Sequence, residues 1–404
     1  MTERTRGLRR RILAMAFVDE FVPFVVVFTL WFDDNGVGVG QISTVFVMWA
    51  IGVLVLEVPS GALADRVDRR RLLAAAFVAR LAGLAVWLVW PTFSGLLVGG
   101  ALWVLHDAAA SGAWESLIHD ELEAVDAADT YPTLIARVGQ FGNAGFAAAA
   151  LVATPALGLG VGLRDLGWLT LALQTITIAL VLSLPDVRWV VERSRALDDE
   201  DPEGPSALRQ ALTNRGVALP VLLGAAVGGL AIIDEYVPLL ARERGVGDSI
   251  VPLVFLTVWV GLMVGGEVAA RVPGIRSTGL AVFVTIGGIA TVIALVTGSP
   301  WTLALIGIAY AAIEATWVVG DARMQALVPA HVRATVTSAR EFGAAVVAGI
   351  ALVVITIAAR ADDPTPGLLV VAVALVIVGP LVSRLPNPQR NANGPAPKGR
   401  PVTS

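Results

Sequence analysis

The feature that most constrains this chain is a succession of apolar segments with little sequence between them. Each is bounded by charged residues or by Gly and Pro, and each approaches the roughly 20 residues that a helix needs to cross a bilayer. They lie near residues 12–32, 40–62, 72–90, 94–118, 134–157, 163–184, 217–240, 249–271, 277–298, 301–322, 335–359 and 366–384. Because a helix satisfies its own backbone groups in hydrocarbon, the sequence predicts an all-α integral membrane protein with twelve transmembrane helices.

Composition agrees with a protein that lies mostly in lipid. Of the 404 residues, 56% are hydrophobic and 15% are charged, whereas roughly a quarter are charged in an ordinary soluble domain. The N-terminus has the basic start and apolar run of a signal peptide, but Asp19 and Glu20 follow where a cleavage site would stand. We interpret it as an uncleaved first span.

Several classes of chemistry are excluded or disfavoured. Cysteine is absent, which excludes disulfides and thiolate metal sites. The chain has no phosphate-binding GxxxxGK[ST] loop, so ATP is not expected to be the direct energy source. No pattern of a nucleophile with its base, or of metal ligands, is present. The sequence therefore predicts no enzyme activity, no cofactor, no metal and no nucleic-acid partner.

The distribution of arginine predicts the orientation. Arginines cluster at residues 4–11, 66–71, 188–215 and after 384. An even number of predicted spans separates these clusters, so they all lie on the same side of the membrane. The positive-inside rule places that side, and both termini, in the cytoplasm. The opposite side carries mainly aspartates, with few arginines such as Arg242 and Arg244. We expect a multi-pass protein of a bacterial cytoplasmic membrane.

The long polar interval after the sixth segment divides the spans into two halves. The predicted domains are an N-terminal six-helix bundle (1–187), a cytoplasmic central linker (188–215), a C-terminal six-helix bundle (216–385) and a disordered cytoplasmic tail (386–404). Two weak matches fit an internal duplication, namely GVG at 36–38 with 245–247 and QFGNAG at 140–145 with EFGAAV at 341–346. The closer match of DEFVP at 19–23 with DEYVP at 234–238 places its acids at different depths, so it is a poor guide to the register.

A dense group of charges interrupts the apolar sequence between the second and third segments. It reads GALADRVDRRRLL from residue 61 to residue 73. This stretch resembles the signature of the major facilitator superfamily, G-x-L-A-D-R-x-G-R-R/K, with Asp68 in place of the second glycine. The runs LEVPSGALAD and HVRATVTSA are similar to those of drug exporters in that superfamily, whereas the fifth segment lacks the G-P-x-x-G-G core of its antiporter motif.

The resemblance implies a twelve-helix transporter fold and a cytoplasmic latch that favours the outward-facing state. The matching latch residues are Gly61, Asp65, Arg66, Arg69 and Arg70. An alternative without a specific function is that a short cytoplasmic loop is rich in arginine because of the positive-inside rule. That alternative explains the bases but not the order of Gly, Asp and Arg.

Charges inside the predicted spans are the candidate site. Eleven acids and three bases lie there, and each costs about 2.5–3.5 kcal/mol at a helix centre, so we expect them to face the bundle interior. The main candidates for proton coupling or substrate binding are Asp19, Glu20, Asp107, Glu115, Asp234, Glu235, Glu314, Arg80, Arg137, Arg340 and Glu341. Either Asp19 or Glu20 is expected to be the coupling acid. The alternative is fixed ion pairs, although three bases are too few for all eleven acids.

Together these features predict a proton-coupled secondary transporter, an antiporter that exports a small amphipathic drug or metabolite by alternating access. Its expected partners are the small-molecule substrate, protons and the lipid bilayer, and we expect a monomer. Three alternatives stay open: proton-coupled uptake of a nutrient, lipid flipping, and a membrane sensor built on the same fold. Against a sensor, neither the central interval nor the tail is large enough for an obvious output domain.

Overall fold

The computed structural model describes residues 3–64, 67–185, 215–272, 274–328, 333–359 and 363–387. Asp65 and Arg66 of the predicted latch, most of the predicted linker and the tail beyond residue 387 lie outside these ranges. The domain boundaries at the linker and the tail therefore stay predictions.

Within these ranges, twelve helical segments are long and apolar enough to cross a membrane, which confirms the predicted all-α fold. We number them span 1 to span 12. Their helices are Glu3–Glu20 with Phe28–Asp34, Val39–Ala64, Arg69–Val89, Phe93–Glu123, Tyr131–Gly158, Leu163–Leu182, Arg215–Gly229 with Val237–Glu243, Val251–Arg271, Ser277–Val296, Ile306–Leu327 after the 3-10 turn Pro300–Leu305, Arg333–Ala358 and Thr365–Leu381.

Span 1 is broken in its middle by Pro23. Proline has no N–H group, so the carbonyl of Asp19 four residues earlier loses its intrahelical donor, and the helix ends at Glu20. Gln174 of span 6 replaces that donor, because its Nε2 donates to the carbonyls of Val18 at 3.0 Å and Asp19 at 3.2 Å. The break thus places two acids at a point where the chain bends inside the bundle.

Span 7 is also interrupted, after Gly229, and the two breaks share a register. The short helices after the breaks, Phe28–Asp34 and Val237–Glu243, start 209 residues apart. Gly36 and Gly245, also 209 residues apart, both end these helices with positive φ values of 78° and 83°, a conformation that glycine adopts readily. The structure follows the register of the GVG match and not that of DEFVP with DEYVP.

Helix packing repeats with a shift of six spans. Span 1 packs on span 5, span 2 on span 4 and span 3 on span 6, and the same pairs recur as spans 7 and 11, 8 and 10, and 9 and 12. The two sets meet mainly where span 2 packs on span 11 and span 5 packs on span 8. This recurrence supports the internal duplication indicated by the sequence.

The two ends of the bundle differ in how the sets are joined. We call the end where spans 2 and 3 meet, predicted to be cytoplasmic, the loop 2–3 end, and the opposite end the Arg242 end. One continuous buried cluster joins spans of both sets, and it includes Phe32, Phe46, Tyr236 and Leu240 near the Arg242 end. Toward the loop 2–3 end, the clusters around Leu117 and around Met324 are separate.

Candidate functional site

A cavity of about 760 Å³ lies between the two sets of spans. It is lined by Asp19, Ser60, Leu73, Phe77, His106, Asp107, Ala110, Ser111, Trp114, Glu115, Gln325, Thr337, Ser338 and Glu341. Among these described lining residues four are carboxylic acids and none is Lys or Arg. Because Glu115, Ser338 and Glu341 line it and are exposed, the cavity opens at the loop 2–3 end.

The Arg242 end is closed by a group of charges that we call the Arg242 cluster. Arg242 of span 7 contacts Asp34 of span 1 at 2.6 Å and Asp33 at 3.2 Å. It also contacts Asp248, which follows span 7, at 2.7 Å and 2.9 Å through Nη2 and Nε. A single guanidinium thereby ties the ends of spans 1 and 7 together, since its planar fork presents five donors.

On the interior side of the Arg242 cluster, aromatic side chains fill the interface between the two sets of spans. The Tyr236 hydroxyl donates to Ser43 Oγ at 2.8 Å, and both residues are fully buried. Phe146 of span 5 stacks on Trp259 of span 8 with ring centroids 4.0 Å apart. The closed end is thus packed with aromatic rings from both sets of spans.

Asp19 is held in an ion pair. Its carboxylate accepts a short hydrogen bond from Arg80 of span 3, which also donates to Gln174 and to the Asp19 carbonyl. The Arg80 guanidinium lies over the rings of Phe77 at 5.2 Å and Trp103 at 5.6 Å. The charge of Asp19 is therefore compensated by a permanent cation.

Asp107 of span 4 has different partners. Trp49 Nε1 donates to Asp107 Oδ2 at 2.6 Å, and Nδ1 of His106 contacts Oδ1 at 2.9 Å. His106 is 6% exposed, packs against Phe77 with ring centroids 5.0 Å apart, and has an Nε2 atom that is buried without a hydrogen-bond partner in the described part of the chain. Asp107 thus faces the cavity with no arginine bound to it among the described residues.

Glu20 lies beside this group but does not line the cavity. A Cβ at Gly142 of span 5 would lie 3.2 Å from Glu20 Cγ, so this glycine makes room for the side chain. Within the described ranges, the Glu20 carboxyl makes no hydrogen bond or ion pair, and the charged groups that act on it are Asp19, Arg80 and Asp107. The interior therefore holds a second acid without a bound cation.

Two of the three bases in the spans form ion pairs with acids, so the alternative of fixed ion pairs holds for those two acids. Arg340 of span 11, 2% exposed, lies 3.0 Å from Asp321 and 3.8 Å from the centroid of the Trp317 ring. Arg80 and Arg340 are thus fixed partners of Asp19 and Asp321. Arg137 is exposed on span 5 and does not line the cavity.

Three predicted acids of the C-terminal set, Asp234, Glu235 and Glu314, do not line the cavity, whereas Glu341 does. Asp234 Oδ1 accepts from the Tyr310 hydroxyl at 2.7 Å, and that hydroxyl accepts from the Asp234 backbone N–H at 2.9 Å. Glu235 and Glu314 are half-buried and line the cavity nowhere along its described wall. Of the predicted acids, the cavity brings together Asp19, Asp107, Glu115 and Glu341.

The described part of the predicted latch binds within its own half. Arg69 contacts Asp120 of span 4 at 2.6 Å, and Arg70 donates to the Leu184 carbonyl after span 6 at 2.7 Å. Asp68 caps span 3 by accepting from the backbone N–H of Arg70, a role that aspartate fills well at a helix start. Gly61 lies in the helix of span 2, while Asp65 and Arg66 lie outside the described residues, so their role stays a prediction.

Sequence reasoning missed three side chains that make the main contacts described above. His106 has no recognisable partner in the sequence, and only the fold brings it against Asp107 and Phe77. No sequence pattern indicates the role of Gln174, because it binds backbone carbonyls of span 1, which every residue type carries. In the sequence, Arg242 resembles an ordinary arginine of a loop. Two signals could have indicated its partners: Asp248 follows six residues later, and Asp33 and Asp34 are predicted to lie on the same side of the membrane.

Comparison with known proteins agrees with this architecture. The family model described as Major Facilitator Superfamily matches residues 12–352. A point mutant of the nucleoside transporter NupG has a TM-score of 0.73 and 14% identity, covering 94% of this chain and 99% of its own. A bacterial homologue of the human lysosomal transporter Spinster, solved inward-facing and unoccupied, has a TM-score of 0.68 and 14% identity, covering 95% and 97%. No curated protein gave a significant match.

The two structural matches share the fold, and the family model covers most of the chain. Twelve spans, packing that repeats after six, and a cavity between the two sets are the features expected of such a transporter. Family membership also gives the general activity, which is movement of a small solute through the bilayer. The chain belongs to the Major Facilitator Superfamily.

Proposed function

We propose that the protein is a proton-coupled antiporter that exports a small amphipathic organic compound across a bacterial cytoplasmic membrane by alternating access. One observation carries the proposal: the cavity between the halves is lined by four carboxylic acids and opens at the loop 2–3 end, which the arginine distribution predicts to be cytoplasmic. A compound can therefore enter the cavity from the cytoplasm in this state.

Proton coupling is assigned to Asp107 and Glu20 rather than to Asp19. An antiporter needs acids that alternately bind a proton and release it, and the charge of a carboxylate in a tight pair with arginine is already compensated by the guanidinium. Asp19 is in such a pair with Arg80. Asp107 and Glu20 have no bound cation in the described part of the chain, so a proton can neutralise either of them.

The cycle follows from competition between compound and proton at Asp107, which lines the cavity. In the state open at the loop 2–3 end, the compound occupies the cavity and the protons leave to the cytoplasm. When the Arg242 end opens, the compound leaves and protons bind the emptied site from the other side. Substrate and proton then exclude each other because both satisfy the Asp107 carboxylate, which is the differential binding that coupling requires.

Substrate-induced proton release tests this proposal. In inverted vesicles with an acidic interior, we expect some compound in a broad panel of amphiphiles to release protons through the native protein, followed with a pH-sensitive dye. Glu20→Gln and Asp107→Asn should each abolish that release while leaving folding intact. Glu267→Gln is the matched control, because Glu267 is 47% exposed and pairs with Arg271 on span 8 outside the cavity.

Two results would contradict the proposal. One is that no compound moves protons through folded, inserted protein. The other is that release survives in Glu20→Gln or in Asp107→Asn.

A further inference from the structure

Arg137 is the base of the spans to which the transport proposal gives no role. It belongs to the apolar segment Thr133–Gly158 of span 5 and is exposed. Within the described ranges it makes no ion pair or hydrogen bond, and it does not line the cavity. An arginine inside a span is costly unless its head group reaches water or an anion. The partner of Arg137 therefore lies outside the described part of the protein.

Arg137 points away from the C-terminal set of spans. Phe146, nine residues later, stacks on Trp259 of span 8. Nine residues at about 100° each place the two side chains on opposite sides of the helix. Phe141, one turn after Arg137 on the same side, is 41% exposed and does not line the cavity. Because an exposed aromatic ring on the outer side of a span contacts lipid, Arg137 lies on the lipid-facing side of span 5.

Two arginines of span 1 lie on the same outer side of the bundle. Arg10 precedes Asp19 by nine residues, and Asp19 binds Arg80 in the interior, so Arg10 points outward for the same geometric reason. Arg6 lies one turn before Arg10 on the same side, and both arginines are exposed. Ala14, one turn after Arg10, is also exposed. The outer side of span 1 thus changes from basic to apolar between Arg10 and Ala14.

Arg10 and Arg137 lie at nearly the same depth. Spans 1 and 5 run in the same direction and pack on each other, and a Cβ at Gly142 would lie 3.9 Å from the Ala16 carbonyl oxygen. Measured from that contact toward the loop 2–3 end, Arg10 is six residues away and Arg137 is five, which is about 9 Å and about 7.5 Å along the helices. Arg6 lies about 6 Å beyond Arg10. The three side chains therefore border one outer surface of spans 1 and 5, where the apolar surface ends.

The charge of this surface specifies its partner. Within the described ranges none of the three arginines is ion-paired, and Glu3, on the same side of span 1, makes no ion pair there either. Arg6 and Arg10 are neighbours at i and i+4, so their charges repel each other unless an anion lies between them. A guanidinium group matches the oxygens of a phosphate in a bidentate arrangement. At the edge of the apolar surface, the phosphates within reach are those of lipid head groups.

We propose that Arg6, Arg10 and Arg137 bind the phosphate of one anionic phospholipid from the leaflet at the loop 2–3 end. The acyl chains of this lipid lie along Ala14 and Phe141. A zwitterionic lipid has the same phosphate, but its own ammonium group cancels the charge that the arginines attract. The site lies outside the cavity and needs neither substrate nor proton, so it goes beyond the proposed antiport.

Native mass spectrometry of the whole protein in detergent micelles tests the site, because it resolves the binding of single lipid molecules. The probes are phosphatidylglycerol and phosphatidylcholine with identical acyl chains. We expect the first phosphatidylglycerol to bind at least about tenfold more tightly than the first phosphatidylcholine. Equal affinities of the two lipids for the native protein would overturn the proposal.

Arginine variants locate the preference. The double variant with Arg10→Gln and Arg137→Gln should bring the two lipids to nearly equal affinity. The matched control is the double variant with Arg276→Gln and Arg333→Gln, which removes two exposed arginines at the same end from spans 9 and 11. It should keep the preference of the native protein. An equal loss in both double variants would assign the preference to the overall charge of this end and contradict the site.

Competition with a head group that lacks acyl chains identifies the source of the phosphate. Excess sn-glycerol 3-phosphate should leave phosphatidylglycerol bound to the native protein, since the chains hold the lipid against the apolar surface. Displacement of the lipid by glycerol phosphate would show a site for a free phosphate compound and contradict a lipid site. These measurements use no substrate and no proton gradient, so their outcome is independent of whether antiport is found.

Discussion

Arg80→Gln is expected to destabilise the folded protein strongly. Arg80 is 7% exposed and binds Asp19 and Gln174 at the break of span 1. Removing one partner of a buried ion pair leaves the other charge uncompensated, at a cost of about 3–5 kcal/mol. This is a large part of the roughly 5–15 kcal/mol by which most folded proteins are stable.

Thermal unfolding in detergent, followed by intrinsic fluorescence, measures the effect. We expect a markedly lower Tm for Arg80→Gln and recovery of much of that loss in the double variant with Asp19→Asn, since the second change removes the orphaned charge. Arg137→Gln is the matched control, because Arg137 is an exposed arginine of the spans and should leave Tm nearly unchanged. If the losses from Asp19→Asn and Arg80→Gln simply add, the two side chains do not act as a pair.

Arg242→Gln is expected to shift the resting protein toward the state that is open at the Arg242 end. The Arg242 cluster holds spans 1 and 7 together through Asp33 and Asp34, and without the guanidinium three carboxylates face one another. These acids are nearly half exposed, so we expect Arg242→Gln to remove about 1–2 kcal/mol of the stabilisation of the closed Arg242 end. That is roughly a five- to thirtyfold change in the ratio of the closed to the open state.

The absence of cysteine makes this shift measurable by thiol labelling. A single cysteine at Ser43, which is buried between the two sets of spans, should react slowly in the native protein and faster with Arg242→Gln. A single cysteine at Ser338, which lines the open cavity, should change in the opposite direction. Unchanged rates at both positions would show that the Arg242 cluster does not hold the end closed.

Arg244→Gln provides the control for that experiment. Arg244 stands two residues from Arg242 but donates to the carbonyls of Ala294 at 2.6 Å and Leu295 at 3.0 Å, within the C-terminal set of spans. Its replacement removes a similar charge near the same end without separating spans 1 and 7. We therefore expect it to leave the ratio of the two labelling rates unaltered.

The sequence predicted the spans well because their existence depends on one local property. A run of about 20 apolar residues must cross the bilayer as a helix, and no partner needs to be known. The break in span 1 also has a local cause in Pro23. The register of the duplication was visible too, because Gly36 and Gly245 end equivalent short helices.

The pairing of charges could not be predicted because it depends on three-dimensional neighbours. The partners of Asp19 come from spans 3 and 6, far along the chain. Asp19 and Glu20 are adjacent in sequence, yet one is bound to Arg80 and the other faces Gly142, since neighbouring residues point about 100° apart on a helix. The proposal that Glu20 rather than Asp19 couples to protons therefore rests on the structure and not on the sequence.

Uptake of a labelled substrate into inverted vesicles tests proton-coupled export most directly. The compound would be one that releases protons in the dye experiment, and the only energy source would be an imposed gradient with an acidic interior. We predict accumulation above the outside concentration, loss of that accumulation when the pH gradient is collapsed, and none with Asp107→Asn. Accumulation that is indifferent to the gradient, or concentration of the substrate only when the gradient is reversed, would contradict proton-coupled export.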